Sequence, residues 1–237
     1  MRWGYRLRAF IAFTTGGTMP DALPEAGGAC PGGSVSVRAR IIVLAKVPRA
    51  GQVKTRLARA LGDMQALAAY RELLRRTLDT VAALKDVERE LCIAGDDEAR
   101  ECEMLADALG FSLTRQQEGH LGERMAHALR RSLDEAKPAL LVGADCPILE
   151  TTDFVQALDV FDEHDAVFLP TLDGGYALVG AARRLPPVFE GIAWSTDQVM
   201  SQTEQALRAA GHSYRLLRRV WDVDDYDDWV RWRALKN

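Results

Sequence analysis

The chain has 237 residues, 48% hydrophobic and 27% charged, which is ordinary globular composition with enough apolar material for one sizeable core. With 30 basic and 34 acidic residues the formal net charge is -4, so no global positive field favours nucleic acid or an anionic membrane, and a small-molecule partner fits better. No apolar run approaches the roughly 18 residues that span a bilayer, and Cys30, Cys92, Cys102 and Cys146 form no CxxC pair, so free thiols in a reducing cytoplasm are expected.

Met1–Phe13 carries positive charge, but its apolar stretch is too short and interrupted for a signal peptide. Residues 14–38 are rich in Gly, Pro, Ala and Ser without a hydrophobic period. A disordered leader is therefore expected over 1–38, with a translation start at Met19 inside it, followed by a single domain over 39–237.

The fold is expected to begin at Arg40–Ala45, a continuous β-rich apolar run of the kind buried on both faces of a parallel sheet. The loop from Lys46 to Leu57 holds Lys46, Arg49, Lys54 and Arg56 and leads towards a helix, in which Leu67, Tyr70, Leu74, Leu78 and Val81 recur at spacings of three and four. Val87–Ala94 reads as strand, Asp96–Leu109 as helix, Phe111–Arg115 as strand and Leu121–Ala136 as helix ending before Pro138. The apolar run from Ala139 then ends in Asp145, and Pro147 forbids a continued ladder. A helix from Thr151 to Phe161 with its hydroxyls as caps and a strand over Asp165–Pro170 come next. Asp173-Gly174-Gly175 turns into a short strand that breaks the β-α rhythm, and Pro186-Pro187 interrupts it again. Ser195 or Thr196 is expected to cap a helix over Gln198–Ala210, Ser213–Leu217 reads as a late strand, and Asp222–Trp229 opens the last helix. Strands alternating with helices predict an α/β fold, a three-layer α/β/α sandwich on a mostly parallel sheet.

Ligands of such sheets bind outside the carboxyl ends of the strands, which makes Asp145 a metal- or phosphate-side residue. The first loop is not a Walker P-loop, because Val53 and Pro48 stand where that motif needs glycine. Its cations, with Gly51 allowing close backbone approach, suit a di- or triphosphate, against the simpler reading of a solvated loop. Lys54 is expected to be exposed there, so that its loss weakens nucleotide binding and leaves the fold intact. In Gln116–Met125, Gly119 and Gly122 bracket a turn whose backbone can read a base or ribose, and His120 is either a ligand contact or a solvated turn residue. Asp145 with Asp222 or Asp224 supplies the one or two carboxylates that Mg²⁺ ordinarily takes from protein; the plainer reading of Asp222–Asp228 is an acidic first turn of a helix. Asp173-Gly174-Gly175-Tyr176 is either an acceptor-facing loop or a hairpin turn. Cys146 reads as a small buried filler rather than a nucleophile.

Several of these motifs together carry a resemblance: Ala45-Lys-x-Pro-x-x-Gly-x-Val-Lys-Thr-Arg-Leu57, Gly119-x-Leu-Gly-x-Arg-Met125, Gly143-x-Asp-Cys-Pro147, Asp173-Gly-Gly-Tyr176, Trp194-Ser-Thr196 and Asp222-Val-Asp224. In this order, over about residues 40–235, the chain resembles the glycosyltransferase-like transferases associated with radical-SAM and selenium-domain genes. It is similar at a distance to 2-phospholactate guanylyltransferase and the molybdenum-cofactor guanylyltransferase, from whose closing motif Asp225, Tyr226 and Trp229 depart. The resemblance implies a GT-A, or nucleotide-diphospho-sugar transferase, fold and a transferase dependent on Mg²⁺ or Mn²⁺. Its partners would be a nucleotide donor, either a nucleotide sugar or a nucleoside triphosphate, and a small-molecule acceptor. A nucleotidyltransferase releasing pyrophosphate and a non-catalytic nucleotide-binding module are the alternatives. Within that frame Asp145, Lys54 and Asp173 are the catalytic candidates, and Asp145, Asp222 and Asp224 hold the metal. Lys46, Gly51, Lys54, Arg56, Gly119, Leu121 and Gly122 take the nucleotide. Asp173, Gly174, Gly175, Tyr176, Trp194, Ser195 and Thr196 face the acceptor.

Overall fold

The computed structural model describes residues 39–185 and 187–236; the leader expected over 1–38, with its start at Met19, lies outside them. In chain order the elements are β1 (Ala39–Lys46), α1 (Thr55–Leu61), α2 (Asp63–Ala82), β2 (Val87–Ala94), α3 (Glu101–Leu109), β3 (Ser112–Arg115), α4 (Leu121–Asp134) and β4 (Ala139–Gly143). There follow α5 (Thr151–Asp159), β5 (Ala166–Pro170), β6 (Tyr176–Ala181), α6 (Val199–Ala209), β7 (Tyr214–Leu216) and α7 (Tyr226–Ala234). The seven strands make one sheet in the order β3-β2-β1-β4-β6-β5-β7. β6 runs antiparallel to β4 and β5, and the other neighbours are parallel. The short turn through Gly174 and Gly175 dictates this reversal, since a parallel return needs a long crossover.

Alternate side chains of each strand leave the sheet on opposite faces, and both faces are covered. Ile41 and Val43, Leu140 and Val142 pack with Leu74 and Leu78 of α2, Ala106 of α3 and Phe154 of α5. Ile42, Leu141 and Phe168 pack on the other side with Met125 and Leu129 of α4 and Leu207 of α6. The expected three-layer α/β/α sandwich with a mostly parallel sheet is what the chain forms.

Local differences from expectation have local causes. The helix expected from Asp96 begins only at Glu101, because Asp97 accepts the backbone N–H of Glu103 at 3.0 Å and Arg100 turns the chain with φ of 54°. The hydroxyls of Thr151 and Thr152 do not cap α5; its entry is closed by Asp153, which accepts the Glu150 N–H at 2.9 Å. At α6 the expected cap acts outside the helix, where the Thr196 hydroxyl accepts the Gln198 N–H at 3.2 Å.

The segment between β7 and α7 is laid across the carboxyl edge of the sheet by contacts with each loop it passes. Arg218 donates twice to Asp153, at 2.6 Å each, and Asp153 is only 3% exposed. Val220 donates to Pro170 O at 2.9 Å, Cys146 Sγ donates to Trp221 O at 3.1 Å, and Val223 donates to Asp145 O at 2.9 Å. Residues 220–224 therefore run from the end of β5 to the end of β4. Cys146 is buried in this crossing, and burial pushes its thiol up to about 12, so it serves as a packed donor, not a nucleophile.

Gly180 sits where β6 passes between β4 and β5 with no room for a side chain: an added Cβ would lie 2.9 Å from Phe161 Cζ and closer still to Leu140 and Val167. Gly180→Ala is expected to destabilise the fold by about 1–3 kcal/mol, read as a lower urea midpoint at unchanged slope.

Candidate active site

The carboxyl ends of the strands open into a cleft of about 740 Å³. Lys46 brings the end of β1 to it, held by Tyr70, whose hydroxyl accepts the Lys46 N–H at 2.8 Å and donates to Lys46 O at 2.9 Å. Asp145 follows β4, Asp173 the end of β5, and Asp222 and Asp224 arrive on the crossing segment.

Lys54 is the centre of the arrangement. Its ammonium lies 3.1 Å from Asp145 Oδ1 and 3.4 Å from Asp224 Oδ1, and donates to Val223 O at 2.6 Å. Its hydrogen bonds go to Val223 O and Asp224, and Asp145 is held by charge alone. The side chain is 4% exposed, whereas the expectation was an exposed loop cation, and the difference comes from the backbone. Lys54 has φ of 48° and ψ of 45° at the start of α1, a left-handed conformation that costs a non-glycine residue about 1 kcal/mol and turns its side chain inward. Arg56, on the outer side, donates to Asp224 Oδ2 at 2.9 Å.

The acidic run divides by role. Asp225 accepts the N–H groups of Asp227 and Asp228, and Asp228 accepts that of Asp224 at 3.1 Å, so these residues cap α7. Asp222 and Asp224 stand before the helix and line the cleft. Burial, then the negative charges of Asp173 and Asp224, push the Asp222 carboxyl up to about 6.

Two observations fit this set to a divalent cation, although the Lys54 ammonium already lies between Asp145 and Asp224. Asp145 Oδ1 is buried without a hydrogen-bond partner, its contact with Lys54 being an ion pair only. Asp222 is held among like charges. Among the described residues no group of three or more Asp, Glu, His or Cys could hold a metal on protein atoms alone, and Mg²⁺ ordinarily completes its shell with water and substrate phosphate.

The opposite wall is built by close packing. An added Cβ at Gly122 would lie 2.7 Å from the Trp194 indole and 2.8 Å from Phe189 O, so the first turn of α4 is a socket for Trp194. Trp194 meets Tyr176 edge to face at 6.4 Å, and Tyr176 meets Phe168 likewise at 5.2 Å. At Gly174, φ is 90° and an added Cβ would lie 2.7 Å from Asp197 Cα, so the Asp173 turn is pressed against the loop of Trp194. Met200 N donates to Gly174 O at 2.8 Å, and Ser195 takes a left-handed φ of 64°. Asp173 accepts hydrogen bonds from the Thr171 hydroxyl and from Gly175 N.

Of the residues singled out in sequence, Lys46, Lys54, Arg56, Leu121, Asp145, Asp173, Gly175, Tyr176, Trp194, Ser195, Thr196, Asp222 and Asp224 line this one cleft. Gly51, Gly119, Gly122 and Gly174 are not among the residues that line it, and Gly51 and Gly119 are exposed. Gly122 and Gly174 are glycine for packing, and Gly119, with φ of 123°, leaves room for the Glu123 carboxylate. His120 caps α4, accepting the Glu123 N–H at 3.4 Å and giving its own to the Glu123 carboxylate at 3.0 Å. Gln116 and Arg124 line the cleft and were not singled out as site residues. Gln116 directly follows β3, so the strand-end rule that selects Asp145 also selects it.

Two outcomes follow from this burial. Lys54→Ala leaves Asp145 and the Val223 carbonyl without their cation and Asp224 with Arg56 alone, and is expected to destabilise the fold by about 1–3 kcal/mol, measured by urea unfolding at pH 7. For Asp222 the folded pKa of about 6 lies above the unfolded value, so its contribution is fully present below pH 3.8 and is lost as pH rises through about 6. Asp222→Asn is therefore expected to raise the free energy of unfolding at pH 7.5 in chelator by about 1–2 kcal/mol, measured by urea unfolding, and to leave it nearly unchanged at pH 3.5.

The fold is that of the nucleotide-diphospho-sugar transferases. A protein from Desulfovibrio desulfuricans G20, provisionally assigned as a nucleotide-diphospho-sugar transferase, is 32% identical and superimposes with a TM-score of 0.76 over 84% of this chain and 88% of its own. A 4-diphosphocytidyl-2C-methyl-D-erythritol synthase from Anaerococcus prevotii DSM 20548 shares the fold at 13% identity, with a TM-score of 0.59 over 86% and 99% of the two chains. A nucleotidyl transferase from Methanothermobacter does so at 14% identity, with a TM-score of 0.53 over 82% and 96%. No curated protein matches the chain in sequence. Residues 77–196 match the family described as "Uncharacterized protein conserved in bacteria (DUF2064)", and the chain belongs to that family.

Proposed function

We propose that this protein is a divalent-metal-dependent transferase that draws on an activated nucleotide, a nucleotide-diphospho-sugar transferase in reaction type. The observation that carries the reading is the meeting of Asp145, which follows β4, with Asp222 and Asp224 of the crossing segment around one buried ammonium at the carboxyl edge of the sheet. The 32% identity to the Desulfovibrio protein supports it, as does the resemblance to the radical-SAM- and selenium-domain-associated transferases. Asp145 with Asp222 or Asp224 would hold Mg²⁺ or Mn²⁺, which when bound neutralises the donor's diphosphate as the leaving group departs. Lys54 keeps Asp145 and Asp224 together, and its buried charge limits the repulsion between them. Lys46 flanks the diphosphate. Asp173, Tyr176, Trp194, Ser195 and Thr196 form the acceptor side.

The first loop is a weaker pointer to a nucleoside triphosphate than its composition implies, because Lys54 and Arg56 both pair with Asp224. Glycosyl transfer is accordingly preferred to nucleotidyl transfer. Calorimetry with nucleotide sugars and nucleoside triphosphates, with and without Mn²⁺, tests the reading. Metal-dependent binding of a nucleotide sugar, weakened about tenfold or more by Asp145→Ala, is expected. Unchanged binding in that variant removes Asp145 from the site, and pyrophosphate release from a nucleoside triphosphate would replace glycosyl by nucleotidyl transfer.

A further inference from the structure

Charge is distributed unevenly in the cleft. On the side of β4 and the crossing segment, Lys54 and Arg56 are matched by carboxylates. Arg124, on α4, is not: it lines the cleft, its Nε is buried without a hydrogen-bond partner, and no carboxylate among the described residues pairs with it. Among the described residues its one side-chain hydrogen bond goes from Nη1 to Gln116 Oε1 at 3.1 Å.

Gln116 is itself fixed. Its amide nitrogen donates to Ala45 O at 3.0 Å and to Cys92 O at 2.9 Å, at the ends of β1 and β2, and its backbone N–H donates to Ile93 O at 2.8 Å. Both amide protons are thereby committed to the sheet, which leaves the carbonyl facing Arg124. A neutral acceptor so anchored orients a guanidinium without neutralising it, where a carboxylate would do both. A half-buried guanidinium with an unsatisfied donor favours an oxyanion strongly, because the fork geometry gives charge-assisted, paired hydrogen bonds.

We propose that Arg124 is an anion-binding side chain of the cleft beside Lys46, taking a phosphate-borne negative charge of the substrate, and that Gln116 is its positioning residue. The chemistry is an oxyanion, carried either by the donor's diphosphate or by an anionic acceptor. This rests on the transferase reading above.

The test is titration calorimetry of the full chain in Mn²⁺ with four classes of probe: the nucleoside diphosphates UDP, GDP, ADP and CDP, their nucleosides, inorganic pyrophosphate, and 3-phosphoglycerate added to the diphosphate-bound protein. Arg124→Ala is expected to weaken pyrophosphate and the best diphosphate about tenfold to a hundredfold, to leave nucleoside binding unchanged, and to be partly rescued in Arg124→Lys. Gln116→Met should show the same split between anion and nucleoside with a smaller loss. A loss confined to 3-phosphoglycerate supports the oxyanion site and assigns it to the acceptor. Equal affinities in wild type and Arg124→Ala, a parallel loss of nucleoside affinity, or a wild type that binds none of the anions overturns the proposal. Arg124-dependent pyrophosphate binding in a wild type that ignores every nucleotide keeps the anion site and discards the nucleotide reading. Circular dichroism establishes that each variant is folded, and Arg124→Lys carries the comparison if Arg124→Ala is not.

Discussion

The ammonium of Lys54 is the constraint on which the site depends. Asp145, Asp222 and Asp224 are brought to one edge by the topology, and carboxylates so gathered repel one another more strongly as water is excluded. The same edge is an open cleft, so no apolar filling separates them. A single buried cation paired with Asp145 and Asp224 eases the conflict, and through Val223 O it also ties the first β-α loop to the last crossing segment, 169 residues later. The left-handed backbone at Lys54 is the local cost of aiming it there. Asp222 is raised first by its burial and then by the charges of Asp173 and Asp224, which Lys54 compensates only in part.

The second constraint is steric and joins the two walls. Trp194 seats on Gly122, the Asp173 turn presses against Asp197 through Gly174, and Tyr176 bridges Phe168 and Trp194. The aromatic wall is thus registered against α4 by contacts that admit no side chain at either glycine. Movement of the Trp194 loop would be felt both at the first turn of α4 and at the Asp173 turn. The positive φ of Ser195 lies in the same loop, between the two contacts, where backbone strain is held by the packing on either side.

What could be read from the sequence follows the range of the forces involved. Asp145 is legible because everything that marks it is local: a buried strand, a carboxylate at its end, and a proline two residues on. The alternation of strands and helices is legible for the same reason, as is the hairpin at Gly174-Gly175. The burial of Lys54 is not, since it depends on a backbone angle and on acceptors from distant segments. Gly119 and Gly122 show the opposite failure: a glycine permits close approach, but the sequence does not say of what. The approaching groups are Glu123 and Trp194, one from the same turn and one from a loop seventy residues away by approximate count. Asp222 to Asp228 carry two roles in one acidic run, and only the position of the Asp225 cap separates them.

The cleft has a polarity that neither net charge nor motif order displays. Its β4 side concentrates carboxylates with cations already bound to them, so an added ligand there must bring positive charge or displace Lys54. Its β1 side presents Lys46 and Arg124, to which no carboxylate is paired among the described residues. A ligand complementary to both halves is anionic over β1 and cation-associated towards β4, and a metal-bound diphosphate has that distribution within a single group. The orientation of a substrate in this protein would then be set by electrostatics along the cleft, while the apolar wall of Tyr176 and Trp194 selects what is attached to it. Because Gln116 and Lys54 hold the two charged ends through backbone carbonyls of the sheet and of the crossing segment, that distribution of charge is fixed by the fold itself.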